Sequence, residues 1–257
     1  MSDGSPLAVP RDVIYLYDGS FRGFLCCVYE SVYSGEIPVD IVTASNDPIT
    51  FFIVREIDTD AAAAERVLAS IPKKISPEAL SLVETVFFSC LNQKELLMLK
   101  FLLRGYREGR RILSKLGDPD VAPLLKAERH LLYEAHLLKG FVRFADYGGA
   151  LAGTITPKNF ILPFIADHFT LRFSDEDFMI FDRTHKAALV YQNRRRQIIS
   201  VGSMEFPSVS GEEARYQAMW KRFYNAVAIE ARINPRCRMT HMPKRYWENM
   251  TEMRELL

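Results

Sequence analysis

The sequence predicts an α+β fold: a small N-terminal β element, a helical body, an antiparallel β-meander and two C-terminal helices. Three observations lead there. Short aromatic and β-branched runs sit near the start, long Ala- and Leu-rich segments fill the middle, and short strands separated by charged turns follow. With 257 residues, 48% of them hydrophobic, the chain can bury a substantial core. That fits one compact domain over 1–257, with a sub-division into 1–117 and 118–257 as the alternative.

A polar lead-in precedes VIYLY (13–17), a short buried strand. Asp18 or Ser20 then supplies an N-cap, and Phe21, Leu25, Val28 and Val32 follow at helical spacing. ITFFIV (49–54) reads as a second buried strand. The helical body begins with AAAAERVLAS, and SPEALSLVETVFFSCL opens with Ser76 and Pro77 as a helix start favours. KELLMLKFLLRGYREGRRIL and DPDVAPLLKAERHLLYEAHLLKGFVRF follow, the latter capped by Asp118 or Asp120. Their wide apolar faces require mutual packing.

The period then changes. HFTLRF (168–173), FMIFDRT (178–184), ALVYQ (188–192) and QIISV (197–201) read as a meander. Its SDED and NRRR turns fall at one end and HKA at the other, so Arg194, Arg195 and Arg196 are expected near Asp175, Glu176 and Asp177. GEEARYQAMWKRFYNAVAIEARIN is an amphipathic helix that Pro235 ends, and PKRYWENMTEM starts the last helix.

Composition excludes several functions. Lys+Arg 33 against Asp+Glu 32 leaves no field for coating a polyanion, so any nucleic-acid surface is a local patch. The four cysteines show no paired spacing for zinc or an iron–sulfur cluster, which predicts no metal and no cofactor. Without a signal peptide or an apolar run of about 18 residues, the expected compartment is the cytoplasm. In YLYDGSFRGFLCCVYESV, Gly19 stands alone and Asp18 repels anions. The reading is a capped helix start with packed cysteines rather than a phosphate cradle or a redox site.

Chemistry-bearing residues concentrate late in the chain. From Arg215 to Leu257 nine Lys/Arg face four Glu, interleaved with Trp220, Phe223, Tyr224, Tyr246 and Trp247. Cations for phosphates and aromatic faces for bases are what single-strand binding uses. Lys221, Tyr224, Lys244, Arg245, Tyr246 and Trp247 are the expected strand contacts. Arg143, Arg172 and Arg183 are expected to line a nearby phosphate groove. A rival reading gathers His136, His168, Asp182 and Glu230 into an acid/base or metal site of an enzyme in its own right, although no local spacing pairs them. A third is a protein-interaction module whose aromatics form a hot spot.

The segments YDGSFRGFLCCVYE, EAHLLKGFVRF, ILPFIADHFTLRF with FMIFDRT, and WKRFYNAVAIEARINPRCRMTHMPKRYW resemble, in this order, a bacterial family labelled "probable DNA metabolism protein" and built around a domain of unknown function. The resemblance implies partnership with a radical-SAM iron–sulfur protein of DNA repair or modification. It supplies no catalytic residues. The expected function is therefore an accessory protein that binds DNA beside that enzyme.

Overall fold

The computed structural model describes residues 9–44, 51–204, 206–229 and 234–256. Two compact units, 1–131 and 132–257, divide the chain within one long helix.

In the first unit, β1 (Val9–Pro10) pairs with β3 (Glu36–Ile37), and β2 (Val13–Tyr17) lies between β4 (Asp40–Thr43) and β5 (Ile53–Glu56), all in parallel. The buried strand expected at 49–54 appears instead as the edge strand β5, shifted to 53–56 and exposed, with Ile53 and Val54 at 73% and 42%; positions 49 and 50 lie outside the described residues. Helix α1 (Phe21–Ser34) makes the crossover that parallel strands require. Ser20 is its N-cap, its hydroxyl accepting the Gly23 N–H at 2.9 Å, and Gly35 ends it in the left-handed region. Asp18 folds back over this first turn, accepting from the Ser20 N–H (2.8 Å), the Ser20 hydroxyl (3.0 Å) and the Thr59 hydroxyl (2.8 Å). Only glycine fits beneath it, since a Cβ at Gly23 would lie 2.2 Å from Asp18 Oδ1. Cys26 and Cys27 are buried, and burial pushes both thiols up, as suits small packing residues rather than thiolates.

Helices α2 (Ala61–Lys74), α3 (Pro77–Phe87) and α4 (Lys94–Glu108) complete the unit, with Asp60 and Ser76 capping α2 and α3. Their apolar faces meet α1 and β2 in one core that includes Tyr15, Phe24, Ile71, Leu82, Met98, Phe101 and Leu102. Asp118 holds the turn that leads into α5 (Ala122–Phe141): its side chain accepts the Asp120 N–H at 3.0 Å and its carbonyl the Ala122 N–H at 2.8 Å, while its carboxylate also accepts both guanidinium nitrogens of Arg104 at 2.7 Å.

The second unit carries β6 (Phe144–Asp146), β7 (Ala150–Ile155), α6 (Leu162–Arg172), β8 (Asp177–Asp182), β9 (Ala187–Gln192) and β10 (Arg195–Ser200). The sheet runs β10-β9-β8-β7-β6, antiparallel except where β7 meets β8 in parallel across the α6 crossover. The meander over β8–β10 is as expected, and its Asn193-Arg194 turn places both residues at positive φ. Arg194 pairs with Asp175 at 3.0 Å, joining the two charged turns at one end of the sheet. HFTLRF, by contrast, is not a strand. It belongs to α6, whose Leu162, Ile165, Ala166 and Phe169 recur at helical spacing and turn inward. Phe169 meets Phe144, Phe173 and Phe178 there.

Helix α7 (Gly211–Val227) follows, capped by Ser210; it ends before the extended Ala228, short of the expected stop at Pro235, which opens the next helix instead. The last helix expected from Pro243 onward is a 3-10 turn over Lys244–Asn249, and the α-helical segment before it is α8 (Pro235–His241). Among the described residues, no helix is long and apolar enough to cross a membrane.

Candidate functional site

The polar interior of the second unit centres on Glu134, on α5 and 1% exposed. Its carboxylate accepts the Lys158 N–H (3.0 Å), the Asn159 N–H (2.8 Å), the Asn159 side-chain amide (2.6 Å), the Tyr246 hydroxyl (2.7 Å) and the Arg245 guanidinium (2.9 Å). Burial alone would raise this carboxyl. Donors from Lys158, Tyr246 and Asn159 outweigh it and hold the group below its usual range. Arg245 also lies over the Tyr246 ring, 4.6 Å from its centroid. One buried carboxylate thus ties α5, the segment after β7 and the C-terminal 3-10 turn together.

A second carboxylate, Glu252, organises the surface beside it. Its side chain is 2% exposed and receives Arg143 through two nitrogens, at 2.6 and 3.2 Å, and the Trp220 indole N–H at 3.0 Å. Burial pushes Glu252 up, but Arg143 and Trp220 bring it below the ordinary glutamate value. Arg143 also donates to the Gly140 carbonyl at 2.8 Å and sits 5.7 Å from the Trp220 ring centroid. It is a fixed cation, with little freedom to swing.

Arg143 forms one wall of a cleft of about 490 Å³, which Arg183, Arg254, Gln217, Asn249, Tyr147 and Phe206 also line. Tyr147 and Phe206 stack, with ring centroids 5.6 Å apart and planes at 27°. Arg183 pairs with Glu248 at 2.6 Å, both side chains more than half exposed, so that pair is exchangeable. A neighbouring cavity of about 450 Å³ shares Arg143, Phe144, Gln217 and Thr251 with the cleft and adds Tyr216 and Trp220. The arrangement offers one guanidinium locked on Glu252, two more bonded to the carboxylate and carbonyl of Glu248, two amides and a pair of aromatic faces.

Of the expected strand and groove contacts, Arg143 and Arg183 meet in this cleft, whereas Arg172 lies at the end of α6 against Phe173. Lys221 is paired with Glu255 at 2.6 Å, Tyr224 is half-buried, and Lys244 is exposed, 5.7 Å from the Trp247 ring centroid. Tyr246 and Trp247 require a correction. They are 1% and 4% exposed, with Tyr246 bonded to Glu134 and Trp247 donating to the Met242 carbonyl, so neither presents a face to a base. Arg245 is likewise committed to Glu134. The buried Glu134 that holds Arg245 and Tyr246 lies more than a hundred positions away, which local charge patterning does not reveal.

Among the described residues, the acid/base candidates do not assemble. His136 is exposed on α5, and His168 on α6 is shifted down by burial and by the cations Lys139 and Arg172. Glu230 lies outside the described residues. Asp182 is fully buried, but its partner is one the sequence reading passed over: His185 Nδ1, at 2.7 Å, in the β8–β9 turn. The Thr184 and His185 N–H groups hold its other oxygen. Among the described residues, no hydrogen bond joins His136, His168 and Asp182, and no three His, Cys, Asp or Glu side chains form a metal site. Tyr147, Phe206 and Arg254 were also missed. The signal for Tyr147 was its place before Gly148-Gly149, which marks a hairpin turn.

No curated protein and no solved structure matches the chain. The family model of the domain of unknown function DUF4130 matches residues 92–252, more than half of the chain. It spans every residue of the cleft but Arg254, and on that match the chain belongs to the DUF4130 family.

Proposed function

We propose that this protein is an accessory factor of DNA metabolism that holds a single-stranded segment in the cleft of its second unit, presenting it to a radical-SAM iron–sulfur partner. The observation that carries the reading is the cleft itself: Arg143, Arg183 and Arg254 around the stacked Tyr147 and Phe206, with Gln217 and Asn249 as amide donors and acceptors. Guanidiniums suit phosphate oxygens, aromatic faces suit bases of any sequence, and amides suit base edges. The DNA context and the iron–sulfur partner come from the family resemblance. Arg143 orients, being locked on Glu252, while Arg183 exchanges Glu248 for a phosphate.

The test is fluorescence anisotropy of the purified chain with single- and double-stranded oligonucleotides across a salt series. Arg183→Gln should weaken binding and reduce the salt slope by about one, the loss of one phosphate contact. Tyr147→Ala should weaken binding by about 1–3 kcal/mol with the slope unchanged, because stacking releases no counterions. Arg245 is unsuitable for this test, since removing it disturbs the Glu134 cluster. Salt-insensitive binding, or a slope unmoved by Arg183→Gln, would overturn the assignment.

A further inference from the structure

Helix α7 faces the wrong way for a helix that serves only its own fold. Amphipathic helices ordinarily turn their apolar stripe to the core. The half-buried positions of α7 are Glu213, Gln217, Lys221 and Tyr224, one edge of the helix. Polar contacts hold that edge: Glu213 accepts the Asp146 N–H (3.2 Å) and the Gln217 amide (2.8 Å), and Lys221 pairs with Glu255. Tyr216, Met219, Phe223 and Val227 point outward instead, exposed by 59%, 61%, 57% and 58%. No residue of the helix is buried. A contiguous apolar stripe at such spacing marks an interaction surface.

We propose that this stripe docks an amphipathic helix of a partner protein whose apolar face is flanked by acidic residues. Tyr216, Met219, Phe223 and Val227 recur as the anchors of helix-against-helix recognition. Charge selects the occupant. Arg215 and Arg222, seven residues apart and so on one flank, are both exposed, and among the described residues neither pairs with a carboxylate. A second copy packed antiparallel on this stripe would bring these arginines to the same side as their own equivalents, a like-charge contact that disfavours that pairing. An anionic bilayer would be met by cations on one flank only, because Glu213 and its polar contacts occupy the other. The stripe runs away from the cleft: Tyr216 borders the neighbouring cavity, whereas Met219, Phe223 and Val227 line neither.

The experiment titrates the full chain into a fluorescein-labelled designed helical peptide with leucines at i, i+3/i+4 and i+7 and glutamates along one flank. A peptide with lysines in place of those glutamates serves as comparison. The glutamate peptide should bind, with at least tenfold weaker binding by the Met219→Ser/Phe223→Ser chain. The Arg215→Glu/Arg222→Glu chain should reverse the preference and select the lysine peptide. Equal binding of both peptides, or no effect of the serine variant, would overturn the proposal. So would sedimentation showing wild-type self-association that the serine variant loses, or binding to phosphatidylglycerol vesicles in place of the peptide.

Discussion

Helices α1 and α7 carry comparable apolar content over 14 and 17 residues, yet α1 buries Phe24, Leu25, Cys26, Cys27 and Val28 while α7 buries nothing. Helix α1 lies in a parallel crossover, where β2 and helices α2 and α4 take its apolar face. Helix α7 is attached along a polar edge, and its apolar face remains in solvent. Amphipathicity records that a helix has two faces. Which face meets the protein is decided by what lies beside it, and α7 is held by an ion pair and hydrogen bonds while its apolar stripe stays outward.

The largest test of this contrast sets Phe24→Ala against Phe223→Ala. Phe24 is fully buried among Phe21, Phe87 and neighbouring core side chains, so its removal should cost about 3–5 kcal/mol in denaturant unfolding. Phe223→Ala should change stability by no more than about 0.5 kcal/mol. A substantial loss for Phe223 would show that the outward face of α7 supports the fold after all.

A second test asks whether the other unit relies on polar burial where the first relies on apolar. Glu134→Gln should cost about 1.5–3 kcal/mol, the scale of hydrogen bonds to a charged group. It should also change the acid response. The folded Glu134 holds its proton less tightly than the unfolded one, so its contribution is complete above the ordinary value of 4.5 and is lost as pH falls through the depressed folded value. Glu252 acts with the same sign, so Glu134→Gln should flatten the acid slope without abolishing it. Parallel acid slopes for wild type and variant would refute the role assigned to the Glu134 carboxylate.

The smallest test concerns the first turn of α1. Gly23→Ala should cost about 1–2 kcal/mol, because its Cβ collides with the Asp18 carboxylate held by Ser20 and Thr59. In an Asp18→Ala background the same change should cost less, since only the Thr59 hydroxyl, 2.9 Å from the added Cβ and freed from its partner, remains to be displaced. An equal cost in both backgrounds would refute the collision.

Where local chemistry decided the outcome, the sequence was readable. Ser20 and Ser76 cap the helices they were expected to cap, and β8–β10 form the meander their alternation and turn residues predict. The aromatic HFTLRF misled because its own composition favours a strand. The inward row Leu162, Ile165 and Phe169, opened by Pro163, becomes apparent only when the preceding six residues are read with it. The cleft was half legible. Arg143 and Arg183 were singled out by type, but Tyr147 and Phe206 come together from positions with no common period. Tyr246 and Trp247 looked like free aromatic faces because nothing nearby in sequence announces Glu134, or the fold that buries them.

The Asp18 carboxylate has a consequence for how the first unit meets its ionic surroundings. Seated over the first turn of α1, it is a tethered counterion for the helix terminus. A dissolved phosphate would have to displace a competitor whose effective concentration, fixed by the chain itself, is on the order of millimolar or higher. The terminus is thereby insulated from the anions of its medium.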